Sequence, residues 1–539
     1  MKKYIFPTLT VLAVAIGLVI GMALSQQANA QRIVYSNGSW QLEVSKVDRF
    51  LQLMETAYVD SLNIDSITDE VMTEMVKKLD PHSAYIPKED LEMVNSELAG
   101  SFSGIGVQFT IQQDTVRIVA VIAGGPSAGV GVLAGDKLIS VDDSSFVGKK
   151  INNEKVMKTL RGEKGTKVKI GVLREGTPDT LYYTITRGDI PVNSVDAKFL
   201  IGNIGFVRVN KFGETTYKEF ITALADLHAK GAKKFIVDLR ENSGGYMDQA
   251  IKMANEFLKG GEMIVYAEGR AYPRYEAKAN GGGRFKNVPL VVLIDNFSAS
   301  ASEIFAGAMQ DNDRATIIGR RSYGKGLVQQ QMPFSDGSAV RLTVARYYTP
   351  SGRCIQKPYT MGDQDDYEKD LLERWEHGEF YSADSVHFAD TTTYRTKSGR
   401  IVRGGGGIMP DVFVGRDTTL NTPWYNQCVN LAYTYQFAYK YTDAHRKELS
   451  RITDWQALEK HLKTKDILRE FVAFAEEKGV EPKEAEIQKS RPLMTRLLHA
   501  YIIRDVLGDE GFFPFFERDD EITKVAVEQL TQGDRTSAQ

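Results

Sequence analysis

Three textures of apolar and polar positions succeed one another along the chain. From about residue 40 to 98 apolar residues recur at helical spacing. Val44, Val47, Phe50, Leu51, Met54 and Tyr58 fall on one helix face. The segment Leu79-Asp80-Pro81-His82-Ser83 breaks that spacing, and residues 87–98 resume it. From about residue 100 to 188 the pattern shortens to strands between glycine-rich turns. Residues 101–109 read as a Gly-x-Gly turn entering an alternating strand, with further strands at 116–121, 138–141, 168–173 and 181–187. One short helix is predicted over residues 153–160, so this stretch makes one small domain. From 190 to 360 strands and helices alternate. Strands are predicted at 204–209, 234–239, 288–295, 316–319 and 339–347, and helices at 217–228, 248–258 and 299–310. That alternation argues an α/β core whose turns gather at strand ends, where sites tend to form. Residues 361–400 are polar, charged and aromatic and read as an insertion; the core pattern returns near 404–412. Residues 423–539 predict charged, amphipathic helices.

Composition narrows the function classes. The 539 residues imply three to four domains, and a 42% hydrophobic content rules out a disordered chain. Lys and Arg total 67 against 70 Asp and Glu, which leaves no electrostatic footprint for nucleic acid. Two cysteines, Cys354 and Cys428, exclude a disulfide framework and a Cys-rich zinc site, and leave one bridge between them open. Seven histidines without a His-Glu-x-x-His pattern argue against a zincin-type metal site. The opening differs from everything after it. Lys2 and Lys3 precede an uncharged apolar run over residues 4–24, followed by Ala28-Asn29-Ala30. That is the layout of an export signal, with a core close to the ~20 residues that span a bilayer. Residues 1–30 are therefore expected either to be cleaved or to stay as an inner-membrane anchor. Both alternatives place the remainder in the periplasm or cell envelope.

The candidate chemistry lies after the buried run Val291-Val292-Leu293-Ile294. Asn296-Phe297-Ser298-Ala299-Ser300-Ala301-Ser302-Glu303 opens a helix there. A serine at a helix mouth is placed as a nucleophile, since the terminus favours negative charge and the next N–H can face an oxyanion. The same residues also spell a helix capping box. A nucleophilic serine needs a base, and no histidine lies within seventy residues of Ser300. A lysine serves only if burial drags its pKa from about 10.4 toward neutrality. Lys325, in Gly324-Lys325-Gly326, is the candidate, and Gln329 four residues on can orient its amine. The P-loop-like run ending at Lys325 has Gly326 where Ser or Thr is required. Ser322-Tyr323-Gly324-Lys325 lacks the helix that a Ser-x-x-Lys pair needs. The strand at 234–239 ends in Glu241-Asn242-Ser243-Gly244-Gly245, whose glycines expose backbone N–H groups.

Together these segments resemble the carboxyl-terminal processing peptidases, or tail-specific proteases, from about Leu79 to Val414. The order Asp238-Leu239-Arg240, Gly244-Gly245, Ser298-Ala299-Ser300-Ala301-Ser302, Gly324-Lys325-Gly326 and Gln329 carries the likeness, extended by Tyr348-Thr349-Pro350-Ser351-Gly352-Arg353 and Gly407-Ile408-Met409-Pro410-Asp411. The resemblance implies a Ser-Lys endopeptidase that needs no cofactor, with Ser300 as nucleophile, Lys325 as base and Gln329 as third member. It also implies oxyanion donors at the N–H of Ala301 and of the Gly244-Gly245 turn, Gly244 by preference. Residues 99–189 resemble a PDZ module, with Gly104-Ile105-Gly106-Val107 as the loop for a substrate's C-terminal carboxylate. Arg161 is then the candidate for coupling that module to the catalytic centre. The implied architecture is multidomain α/β: a helical region at 31–98, the inserted PDZ domain, a crotonase-like protease core of ββα elements at 190–415, and a helical region at 416–539. The implied partners are proteins or peptides with exposed C-termini. A non-catalytic envelope PDZ scaffold and an amidase on the same centre stay open as alternatives, and so does assembly as a homo-oligomer.

Overall fold

The computed structural model describes residues 32–36, 39–43 and 45–536, apart from the single positions 97, 113, 123, 134, 175 and 389. The expected export segment lies outside the described residues. The described residues divide into two compact units, one up to Val76 and one from Lys77 onward. In the first, β1 (Arg32–Ser36) and β2 (Ser39–Glu43) pair antiparallel, followed by α1 (Lys46–Ala57) and α2 (Ile64–Val76). The helical spacing read from residue 40 onward thus begins only at Lys46. Ser45 stops the strand and starts the helix, its side chain accepting the Asp48 N–H at 3.1 Å.

The second unit begins with β3 (Ala84–Ile86) and α3 (Lys88–Ser96). After β4 (Ser101–Gly104) come β5 (Val107–Gln112), β6 (Thr115–Val121), β7 (Lys137–Val141), β8 (Ser144–Ser145), β9 (Lys167–Leu173) and β10 (Leu181–Thr186). They form one antiparallel sheet in the order β10-β9-β7-β6-β5, with β8 on β7 and β5 at an edge. Alternate residues of β6 and β9 (Val116 and Ile118, Val168, Ile170 and Val172) point into a core with Val156 and Leu160. The latter two come from α5 (Asn153–Leu160), which follows the one-turn helix α4 (Pro126–Val130). β11 (Gly188–Pro191) pairs back onto β4, so the chain enters and leaves this domain through adjacent strands. Residues 101–104, read as part of a turn, are therefore a strand whose partner lies far along the sequence.

The α/β core runs β12 (Val195–Ile201), β13 (Ile204–Val209), α6 (Thr216–Ala229), β14 (Lys234–Asp238), α7 (Met247–Asn255), β15 (Met263–Glu268), β16 (Tyr275–Lys278), β17 (Leu290–Ile294), α8 (Ala301–Asp311) and β18 (Thr316–Gly319). β19 (Leu327–Pro333), β20 (Ala339–Tyr348), α9 (Gln364–Glu376), β21 (Thr393–Arg395), β22 (Ile401–Arg403) and β23 (Val412–Phe413) complete it. One sheet has the order β12-β13-β14-β17-β18-β23, parallel from β13 onward. Its strands are apolar at successive positions because both faces are covered. Val207, Val237, Val292 and Ile294 face α6, α7 and α8, while Phe206, Ile236, Val291 and Leu293 face the other way. A second, antiparallel sheet has the order β16-β15-β20-β19, with β3 added to β20. The insertion is not structureless: it contains α9 and the β21–β22 hairpin.

Eight helices follow: α10 (Pro423–Asn430), α11 (Tyr433–Ala444), α12 (Arg446–Leu449), α13 (Trp455–Leu462), α14 (Ile467–Glu477), α15 (Glu484–Leu507), α16 (Asp509–Arg518) and α17 (Glu521–Thr536). Most close around Trp424, Phe437, Leu458, Phe471 and Leu498. α17 instead lays Ile522, Ala526 and Leu530, spaced four apart, on the outer face of the parallel sheet. The architecture is multidomain α/β, with an inserted β domain and helical regions toward both ends.

Candidate active site

β14, β17 and β18 are neighbouring parallel strands, and the loops leaving their carboxyl ends build one site, the place where α/β sheets gather ligands. The loop after β14 is anchored by Arg240, which donates to both Asp238 oxygens and, in the C-terminal region, to Glu517 of α16 at 2.7 Å and to Asp520, between α16 and α17, at 2.8 Å. Asn242 then ties this loop to the next. Its carbonyl accepts the Ala299 N–H at 3.0 Å and the Ser302 hydroxyl at 2.9 Å.

The loop after β17 carries three serines with different fates. Ser298 and Ser302 are fully buried; their hydroxyls donate to the Leu239 and Asn242 carbonyls at 2.7 and 2.9 Å. Ser300 lies between them with φ at +55°, a left-handed backbone uncommon for a residue with a side chain. That kink turns Ser300 out of the alternation. It lines a cavity of about 340 Å³ together with Gly245, Met247, Lys325, Gln329 and Arg341. Residues 244 and 245 must be glycines. A methyl on Gly244 would sit 2.7 Å from Ser300 Cβ, and both positions have positive φ.

The loop after β18 brings Lys325 to the same cavity. Lys325 Nζ donates to Gln329 Oε1 at 3.1 Å. Four residues apart would be too far in a regular strand, but Lys325 precedes β19 and a register shift at Val328/Gln329 swings Gln329 back. Burial lowers the Lys325 pKa, and the Arg341 charge lowers it further against Asp80 and Glu303. Among the described residues no hydrogen bond joins Lys325 Nζ to Ser300 Oγ.

Two residues that sequence reasoning undervalued hold these loops in register. Glu303, read only as half of a capping box, does accept the Ser300 N–H at 2.8 Å. It also accepts from Ser322 Oγ (2.5 Å), the Gly324 N–H (2.7 Å) and the Lys325 N–H (2.9 Å). One carboxylate thus joins the Ser300 turn to the Lys325 loop. Its complete burial pushes its pKa up to about 7 despite those donors. Tyr347, also buried, places its hydroxyl 3.0 Å from the Ser300 carbonyl and 2.5 Å from that of Lys325. The Glu spacing in the sequence signalled a cap; nothing signalled Tyr347.

Of the two turn glycines, Gly244 packs against Ser300 and Ala301 and its N–H donates to Asn242 Oδ1 at 2.8 Å, while Gly245 lines the cavity. Ala301 is the first residue of α8, so its N–H belongs to the helix's opening turn. In the inserted domain Gly104, Ile105 and Gly106 are buried, and Gly106 has φ at +76°. The Ile105 and Gly106 carbonyls accept the Ser127 and Ile122 N–H groups, each at 3.0 Å. Val107 opens the edge strand β5 beside α5. Arg161, just after α5, stacks its guanidinium 4.2 Å from the Phe102 ring and donates to Ser96 Oγ at 3.0 Å. Ser96 belongs to α3, whose Val94 and Asn95 line the Ser300 cavity.

Comparison with known proteins bears on this arrangement. A profile of peptidase family S41 matches residues 203–368 and a PDZ-domain profile matches 103–185. The carboxy-terminal-processing protease of Bartonella bacilliformis is 36% identical over 344 residues, covering 62% of this chain and 76% of that protein. The chain belongs to the carboxy-terminal-processing proteases. Carboxy-terminal processing protease CtpA of Bacillus subtilis is 34% identical over 329 residues, 60% of this protease and 70% of the relative. Among solved structures, a photosystem II D1 C-terminal processing protease is 24% identical and covers 68% of this protease and 87% of that chain, at a TM-score of 0.35. Residues 424–508 match a family of unknown function. Family membership makes this protease a serine-type peptidase rather than a scaffold or an amidase.

Proposed function

We propose that this protease is a Ser-Lys endopeptidase that captures the C-termini of envelope proteins through its PDZ domain. The observation that carries the reading is the sorting of the three serines. Two are spent on loop carbonyls, and the third opens into a cavity shared with a half-buried lysine. Neutral Lys325 takes the Ser300 proton as Oγ attacks the peptide carbonyl carbon. The oxyanion is held by the N–H groups of Ala301 and Gly245, and Lys325 returns the proton to the leaving amine nitrogen. Lys325 then takes a proton from water, whose oxygen attacks the acyl ester, and passes it to Ser300 Oγ as the ester C–O bond breaks, which frees the carboxylic acid product and restores the neutral amine. Gln329 keeps the amine aimed during both halves. The test is cleavage of an unfolded protein by wild type against Ser300→Ala and Lys325→Ala.

The base role fixes a pH dependence. Lys325 works only when neutral, so kcat/KM rises with pH and levels off below the ordinary lysine range. Arg341→Met removes a neighbouring cation that favours the neutral amine. Its rising limb is therefore expected at higher pH than that of wild type; a limb at unchanged or lower pH would contradict this.

Capture of C-termini rests on the exposed pairing edge of β5 and on the Gly104–Val107 turn, whose backbone can receive a carboxylate while the edge takes up the peptide as a strand. Amidation of a substrate's C-terminus is expected to raise KM on the order of tenfold, since a charged hydrogen-bond acceptor is lost. Equal KM for the free and amidated substrates would argue against capture. Arg161 would report occupancy to the cavity through Ser96 and α3. The basic and apolar opening of the chain supports work outside the cytoplasm, with residues 4–24 as signal core or anchor.

A further inference from the structure

The turn Asp80-Pro81-His82-Ser83 lies far from Lys325 in sequence, yet the His82 carbonyl accepts a hydrogen bond from Gln329 Nε2. The other end of the same amide, Oε1, accepts from Lys325 Nζ. An amide with a carbonyl at its nitrogen end cannot flip without facing oxygen to oxygen, so His82 decides which way Gln329 points. The turn is itself tightly built. Asp80 Oδ1 accepts the His82 N–H (3.0 Å), the Ser83 N–H (3.1 Å) and the Thr343 hydroxyl (2.8 Å), and Oδ2 accepts the Ser83 hydroxyl (2.5 Å). The Thr343 N–H donates back to Ser83 Oγ at 3.0 Å, which clamps the turn to β20. Burial alone would raise the Asp80 carboxyl, but these donors hold it below the usual range.

The His82 side chain is held as well. Its Nε2 lies 2.8 Å from the hydroxyl of Tyr367, on α9 of the insertion. Burial and the nearby Lys325 push the imidazole down to about 4, so it is neutral at working pH. Lys357 buttresses Tyr367 in turn, with Nζ 3.0 Å from the Tyr367 carbonyl and 4.0 Å from its ring centroid.

We propose that Asp80 and His82 are positioning residues for the base: the Asp80 turn, braced by Tyr367 of the insertion, fixes the Gln329 amide that aims Lys325. The inference rests on the Ser300–Lys325 reading and gives the 361–400 insertion a task in catalysis rather than in substrate binding.

A double-variant cycle on the full chain tests it, with kcat and KM read on a fluorescently labelled unfolded protein and folding checked by thermal melts. Gln329→Ala and Asp80→Ala are each expected to lose roughly 100-fold in kcat with KM little changed, as for a misplaced reacting group. The double variant should be no worse than the poorer single one, because both disable the same contact. Asp80→Asn keeps an oxygen at the Oδ1 position and should stay within about fivefold of wild type. Multiplicative losses, an Asn variant as poor as Ala, or a change confined to KM would each overturn the proposal. Should Asp80→Ala fail to fold, the same cycle run with Tyr367→Phe decides, a non-additive kcat loss supporting the proposal and an additive or absent one overturning it. Ser300→Ala runs alongside. If it cleaves like wild type, the Ser-Lys reading fails; if it is inert while the cycle is additive, only the positioning role fails.

Discussion

Ser300→Ala is expected to lower kcat by about four to six orders of magnitude while leaving substrate affinity within a few-fold, since the hydroxyl makes a bond only in the reaction. Lys325→Ala should fall as far, and the double variant no further, because nucleophile and base act as one unit. Lys325→Arg should be as poor as Lys325→Ala, since a guanidinium does not give up its charge in this pH range. Ser298→Ala and Ser302→Ala should not mimic this: those hydroxyls hold the loop, so their loss should appear first as lowered thermal stability. The measurement is turnover of an unfolded protein under substrate saturation. A Ser300→Ala enzyme within tenfold of wild type would end the account of this centre.

Glu303→Gln should produce the next largest loss, roughly 100-fold in kcat. Its carboxylate accepts from four donors in two loops, the Ser300, Gly324 and Lys325 N–H groups and the Ser322 hydroxyl. An amide offers one oxygen, and its NH2 end must face at least one of those N–H groups. The two loops then separate, and Ser300 and Lys325 lose register together. Glu303→Asp keeps the charge but shortens the arm and should recover only part of the rate. A Glu303→Gln enzyme with kcat near wild type, measured beside a thermal melt to confirm folding, would show that the loops hold register without it.

The proposed nucleophile and base each stand in a short motif that the sequence displays, and the family resemblance, rather than local backbone rules, singles them out. The Ser300 turn follows a buried strand, and Lys325 follows the next. The parallel core was legible from the pattern itself: Val291 to Ile294 and Phe235 to Val237 are apolar without interruption, as strands covered on both faces must be. What stayed hidden depends on partners remote in sequence. That the Gly244 N–H turns toward Asn242 Oδ1 depends on a fold of the loop that the Gly-Gly pair does not spell. Glu303 looks like a local cap until Ser322, Gly324 and Lys325 arrive from another loop. β19 carries three successive glutamines and shows no alternation, and β4 is a strand only because β11 returns to it. The insertion read as a polar excursion, yet Tyr367 and Arg374 on α9 are buried against the core.

The backbone crowding between Gly244 and Ser300 has a practical corollary for anyone retuning this enzyme. That wall of the cleft has no spare volume and no tolerance for β-branched side chains, so libraries that randomise it will mostly yield dead clones. Selectivity must be reshaped from the rest of the lining, where Val94, Leu98, Tyr246 and Met247 supply exchangeable side chains.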